Sequence, residues 1–219
     1  MKELWVEKYR PKKMEGYVWR DSAQRKQVET WVTEKSIPHL LLSGPPGIGK
    51  TTMAKILVNE IEILDADVLE VNASRETGID FIRNKIVPFI SSIAWGAFKV
   101  VLLDEADYLN PNSTQPALRN FMEEFSKNCG FILTCNFKNK IIEPLHSRCT
   151  VIDFKLPNNE KAKLASQFMK RIKHILDTEK VQYDDGAVAE VISKYFPDWR
   201  RVLNELQRYS ATGKIDSGI

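Results

Sequence analysis

The run Gly44-Pro45-Pro46-Gly47-Ile48-Gly49-Lys50-Thr51 fits the spacing GxxxxGK(S/T). Each residue type has a task in holding a polyphosphate. Glycines let the backbone turn so that successive N–H groups point at phosphate oxygens. A helix opening at the end of the run favours anions at its N-terminus. Lys50 has the reach for β- and γ-phosphates, and the Thr51 hydroxyl suits Mg²⁺. Thr52 completes the candidate nucleotide-binding stretch. The competing reading is a chance match in a loop. The motif must follow a strand and open a helix to work. Both flanks comply: His39-Leu40-Leu41-Leu42-Ser43 reads as a buried strand, and Lys50 to about Ile61 reads as a helix with Met53, Ala54, Ile56 and Leu57 on one face.

A second group of candidates stands downstream in Val100-Val101-Leu102-Leu103-Asp104-Glu105-Ala106-Asp107. Acids at the carboxyl end of a buried strand stand where a doubly wound sheet places its ligand site. Asp104 is the candidate for Mg²⁺, directly or through water, and Glu105 for the general base that activates the attacking water. Two solvated acids ending a strand would look the same in isolation; the intact phosphate loop favours the catalytic reading. Asn136 ends the next strand, Gly130 to Cys135. It is a candidate for contact with the γ-phosphate or the water, although Asn is also common in turns after strands.

The elements that must position these groups read as follows. Short apolar strands lie at 39–43, 68–71, 98–103, 130–135 and 151–154, and helices at 22–34, 50–61, 79–93 (bent at Pro88) and 113–125. Alternation of buried strands and helices predicts an α/β fold: a parallel five-stranded sheet covered on both faces. After Leu156-Pro157 only helical periodicity remains, at 158–178, 185–195 and 198–211, which predicts a small three-helix lid domain. The expected domains are therefore 1–157 and 158–219. The tail from Thr212 to Ile219 is expected to lack structure or to be cut short.

The 219 residues suffice for one large and one small domain, and 43% hydrophobic with 28% charged residues fits a globular chain. A net charge of +3 does not announce nucleic-acid binding, so any such contact must come from a local cluster. Three cysteines without framework or CxxC spacing argue against a disulfide scaffold and a zinc site. The charged start, Met1 to Lys8, is no signal peptide, and no apolar run approaches the ~20 residues of a membrane span. The expectation is a cytoplasmic protein without membrane partners.

Several stretches occur together in a recognisable order: Leu4-Trp5-Val6-Glu7-Lys8-Tyr9-Arg10-Pro11, Gly44 to Thr51, Val71-Asn72-Ala73-Ser74, Asp104 to Asp107, Ser147-Arg148-Cys149 and Pro197-Asp198-Trp199-Arg200-Arg201. With them the chain resembles the AAA+ clamp-loader subunits: the small subunits of replication factor C and, more closely, the large clamp-loader subunit of T-even-type phages. The resemblance implies an ATPase that uses ATP binding to open a sliding clamp and bind primer-template DNA, and hydrolysis to release it. It implies ATP and Mg²⁺ as cofactors, and primer-template DNA, a sliding clamp and further loader subunits as partners. If the chain is phage-encoded, the compartment is the bacterial host cytoplasm. By the same resemblance Lys8, Tyr9, Arg10 and Pro11 lie near adenine and ribose. Asn136 is a first sensor of the γ-phosphate and Arg200 a second, from the lid. Asn72 restrains Glu105 until DNA binds, and Arg148 is an arginine finger for the neighbouring subunit's site. An isolated surface arginine is the plain alternative for Arg148, and a solvated helix face for Arg200.

For DNA, the matching stretch is Thr77 to Lys85. Ile79, Arg83 and Lys85 at the start of that helix are the first candidates, with Asn112 and Ser113 at the start of the next, since phosphates favour helix N-termini and arginine. The helix 113–125, with Gln115, Leu118, Arg119, Phe121, Met122 and Phe125, resembles the segment facing the clamp. Two departures stand out. Ile48 replaces the usual Thr and is expected to point away from phosphate, because the loop binds through its backbone. The family's third, collar domain is not in the sequence, so a fragment, or a collar on another chain, is expected. Other readings are a different AAA+ DNA motor (branch-migration or initiator-loading), an ATP-binding scaffold and a small-molecule kinase. A DEAD-box helicase would need a second motor domain.

Overall fold

The computed structural model describes residues 3–76 and 78–216. In chain order the elements are α1 (Trp5–Lys8), α2 (Ser22–Thr33), β1 (Leu40–Ser43), α3 (Lys50–Glu60), β2 (Val68–Asn72), α4 (Ile79–Phe81), α5 (Val87–Ser91), β3 (Lys99–Asp104), α6 (Thr114–Glu124), β4 (Cys129–Cys135), α7 (Glu143–His146), β5 (Thr150–Asp153), α8 (Lys161–Thr178), β6 (Gln182–Tyr183), α9 (Asp185–Tyr195), α10 (Trp199–Tyr209) and β7 (Lys214–Ile215). Chain contacts divide them into two compact units. One comprises Met1–Arg25, Pro45–Gly49 and Leu156–Ile219; the other comprises Lys26–Gly44 and Lys50–Lys155.

The second unit is built on a five-stranded sheet in the order β2-β3-β4-β1-β5, with every neighbouring pair parallel. All residues of β1 and β4 are buried, as befits central strands with both faces covered. Register decides what meets at the carboxyl edge. Asn72 pairs with Asp104, Leu103 with Leu133, and Ser43 with Cys135. The ends of β1, β3 and β4 therefore lie side by side, where chain order reverses across the sheet and ligand sites form. The core beneath them holds Leu41, Val101, Leu103, Leu118, Met122, Phe131 and Leu133. His39 locks two layers: its Nδ1 accepts the Phe131 N–H (3.2 Å), and Nε2 lies 3.2 Å from the Met122 carbonyl. Burial holds its pKa below the ordinary imidazole value. The three cysteines are free thiols; burial pushes Cys129 and Cys149 up to about 12 and Cys135 to about 11.

The helix expected over 79–93 is three pieces: α4, a π-helical turn over Ile82–Ile86, and α5. Pro88 supplies the reason. It has no N–H for the preceding turn and its ring crowds the carbonyl four residues back, which a wider turn relieves.

The first unit packs α8, α9 and α10 around Phe168, Ile172, Leu176, Val188, Ile192, Val202 and Leu206. Trp5 of α1, an element that sequence periodicity did not predict, is buried in this same cluster. Its backbone N–H donates to Gln207 Oε1 (2.9 Å). Phe168 stacks on Trp199 with ring centroids 4.0 Å apart. The expectation of an unstructured tail fails at Lys214–Ile215, which forms β7 and pairs in parallel with β6. Ile215 is fully buried, and that apolar anchor holds the strand. Residues 217–219 lie outside the described residues. Among the described residues no helix is long and apolar enough to cross a membrane.

Candidate active site

In the second unit, the phosphate-loop lysine opens α3 and is almost wholly buried, 7% exposed. Its ammonium donates to the Gly44 carbonyl at 2.7 Å and to Asn136 Oδ1 at 2.9 Å. This contact brings together the ends of β1 and β4 and the first turn of α3. Gly44 itself tolerates no side chain, because an added Cβ would lie 2.7 Å from the Cβ of Phe154. Thr51, the next residue of α3, donates from its hydroxyl to Asp104 Oδ1 at 2.8 Å. Lys50, Thr51, Asp104 and Asn136 thus converge as the sequence expected.

One residue at the centre of this cluster escaped the sequence reading. Thr134, buried in β4, donates its hydroxyl to Asp104 Oδ1 (2.5 Å) and accepts the backbone N–H of Glu105 (3.1 Å). The signal was a hydroxyl in an otherwise apolar strand, but its meaning depends on β4 lying beside β3. Glu105 adopts φ 59°, ψ 41°, the left-handed region that a residue with a side chain seldom occupies. Such strain costs about 1–3 kcal/mol and persists where surrounding bonds over-determine it. Here the Thr134 hydroxyl is that bond. Asp107 anchors the neighbouring turn: its Oδ2 accepts the N–H of Phe137 at 3.2 Å, directly after Asn136. The donor set is hard oxygen throughout, and a threonine hydroxyl 2.8 Å from a carboxylate fits the site of a Mg²⁺ ion that keeps several waters.

In the first unit, the loop tip Pro45–Gly49 lies against the N-terminal segment and the lid. Tyr17 donates its hydroxyl to the Gly49 carbonyl at 3.2 Å. Gly47, at φ +72°, faces Asp198: an added Cβ would come within 1.8 Å of Asp198 Oδ1. That carboxylate also caps α10 by accepting the Arg201 N–H at 3.0 Å. Pro45 and Pro46 are exposed, whereas the Ile48 side chain is buried, as expected of a group turned from the loop's binding face. Thr52 is half-buried in the first turn of α3.

The remaining candidates are placed as follows. Glu179 of the lid region accepts from both Lys8 Nζ and the Tyr9 hydroxyl, each at 2.6 Å. Arg10 pairs with Glu7 at 2.6 Å, and Pro11 neighbours Gly16. Arg200 is exposed in the first turn of α10, while Arg201 lies over the Tyr195 ring, 4.5 Å from its centroid. Asn72 pairs in register with Asp104, yet its Oδ1 is turned onto the backbone N–H (2.9 Å) and hydroxyl (2.6 Å) of Ser74 rather than onto Glu105. Arg148 is tied to Glu123 of α6. Ile79 opens α4; Arg83 and Lys85 lie exposed in the π turn, with Lys85 paired to Glu76 at 2.6 Å. Asn112 and Ser113 are exposed just before α6, and Thr77 lies outside the described residues.

Comparison with known proteins gives the family. The family model described as "ATPase family associated with various cellular activities (AAA)" matches residues 40–156. The chain belongs to the AAA family. Residues 160–219 match a second model, described as the AAA+ ATPase lid domain of a sliding-clamp-loader large subunit. The replication factor C small subunit of Archaeoglobus fulgidus is 41% identical over 217 residues, covering 97% of this chain and 66% of that protein. That of Saccharolobus solfataricus is 42% identical over 217 residues, covering 97% and 63%. The chain thus spans just under two thirds of the length of these relatives. Among solved structures, the Thermotoga maritima RuvB Holliday junction branch migration motor superposes with a TM-score of 0.70 at 20% identity, over 96% of this chain and 70% of that one. A single-residue variant of the same RuvB reaches 0.74. At that identity the likeness is one of fold.

Proposed function

We propose that this AAA chain is an ATPase subunit of a sliding-clamp loader of DNA replication, using ATP binding to open the clamp and engage primer-template DNA and hydrolysis to release it. The observation that carries the reading is the order of modules. An AAA module is followed directly by a lid of the clamp-loader type, on a chain about 40% identical to replication factor C small subunits.

The chemistry follows from the second unit's cluster. Lys50 binds the β- and γ-phosphates, and backbone N–H groups of the loop hold the remaining oxygens. Thr51 and Asp104 hold Mg²⁺, which offsets charge on the phosphates. Glu105 takes the proton of the attacking water, with its backbone fixed by Thr134. Asn136, already bonded to Lys50, senses the γ-phosphate. Lys8, Tyr9, Arg10 and Pro11 serve the adenosine, and Arg200 is the second sensor. Arg148 acts in trans on a neighbouring subunit's nucleotide, a contribution of about 10³–10⁵ in rate. Asn72 restrains Glu105 in one state and would exchange its Ser74 contacts to do so. Ile79, Arg83, Lys85, Asn112 and Ser113 meet DNA phosphates, reading backbone shape and not sequence.

The test is ATP turnover by the protein assembled with its partner subunits, with and without primer-template DNA plus a ring clamp. Stimulation by the two together is the expected result. Turnover indifferent to both overturns the reading, and ATP-driven strand movement without a clamp would favour a branch-migration motor.

A further inference from the structure

Arg148 does not project freely. Its Nε donates to Glu123 Oε1 at 2.6 Å, and its Nη2 donates to the same oxygen. Nη1 donates to the Pro144 carbonyl at 2.8 Å, with Ser147 Oγ further off at 3.4 Å. Two separate elements therefore fix one guanidinium: α6 through Glu123, and α7 through Pro144.

We infer that Glu123 is a positioning residue: it fixes the Arg148 guanidinium in the orientation from which that arginine serves the neighbouring subunit's nucleotide. The inference rests on the trans role given to Arg148 under Proposed function. Its physical basis is that the pair does little for the fold. With side chains 28% and 49% exposed, such an ion pair contributes almost nothing to stability. An unrestrained arginine at an open surface would instead sample many rotamers, and few of these place its planar fork on a phosphate. Misplacing a group by about 1 Å costs on the order of 100-fold in rate. Glu123 spends the Nε edge of the guanidinium on α6 and so limits which edge is presented outward.

Mixed variants separate this inference from the reading beneath it. One chain carries Arg148→Ala and keeps its own nucleotide site. The other carries Lys50→Ala and can only donate the finger. Mg-ATP hydrolysis restored by mixing the two establishes action in trans. Adding Glu123→Ala to the donor chain is expected to lower kcat of the mixture by about 10- to 100-fold. KM for ATP and the donor's melting temperature should stay as they were. Glu123→Gln keeps an oxygen acceptor for Nε and is expected to recover most of the rate. An undiminished kcat with the Glu123→Ala donor overturns the positioning role, and a raised kcat makes Glu123 a restraint instead. Failure of the unaltered donor to restore any turnover refutes the trans reading itself, and the inference falls with it.

Discussion

Replacing Gly47 by alanine tests the coupling between phosphate loop and lid within the first unit. At φ +72° an alanine pays roughly 1–2 kcal/mol of left-handed strain. Its Cβ would also lie 1.8 Å from Asp198 Oδ1, 2.5 Å from Cγ and 3.3 Å from Cα. The Asp198 side chain must swing away, and the cap on α10 goes with it, for about 1 kcal/mol more. The sum is about 2–3 kcal/mol. At ~2–4 °C per kcal/mol for a chain of this size, the melting temperature should fall by about 4–12 °C. Asp198→Ala alone should cost only the cap, ~1 kcal/mol. In the double variant the new methyl displaces nothing, so the loss should again be about 2–3 kcal/mol rather than the additive ~3–4. Thermal melts of the four proteins decide this. An unchanged melt for Gly47→Ala, or strict additivity, would refute the proposed contact.

Thr134→Val keeps the shape of β4 but removes the acceptor of the Glu105 N–H and one donor to Asp104. A loss of ~1–3 kcal/mol at the reacting geometry predicts a kcat roughly 5- to 160-fold lower with little change in ATP affinity; wild-type turnover would sink the assignment. Lys50→Met removes the ammonium bonded to Gly44 and Asn136, and is expected to abolish measurable hydrolysis, as is chelation of Mg²⁺ with EDTA. His39 predicts a pH effect on stability. Its folded pKa lies below the unfolded value of about 6.5, so above that pH its contribution is complete. As pH falls below about 6.5 the unfolded chain takes up protons first, and stability declines until the folded imidazole also protonates. Urea unfolding between pH 7 and 5 should show this decline, and a His39→Gln variant should show less of it.

Much of the second unit was readable in advance because its strands are short, dominated by apolar residues and bounded by turns. All five were expected within a residue or two, and the burial of β1, β3 and β4 explains why those three read as apolar runs. The placement of Lys50, Thr51 and Asp104 at the carboxyl edge of the sheet was equally legible, since a strand leads into each of the two motifs. What escaped depends on chain order in space. Thr134 matters only because β4 lies beside β3. The Glu123–Arg148 pair joins positions 25 residues apart, and the Tyr9–Glu179 bond joins positions 170 apart. No local periodicity encodes either. β7 is two residues long, below the length at which alternation can be read, and its only local hint is an isolated isoleucine in a polar tail. The π turn before Pro88 was half visible: proline predicts a disturbance but not its form.

The most direct test of the central claim, that this site hydrolyses ATP with Glu105 as the base, is to measure Mg-ATP affinity and steady-state phosphate release side by side for the wild-type protein and Glu105→Gln. The account predicts ATP binding within about twofold of wild type and turnover reduced by at least ~100-fold, the scale of a lost general base. Turnover retained by Glu105→Gln, or binding lost along with it, would contradict the assignment.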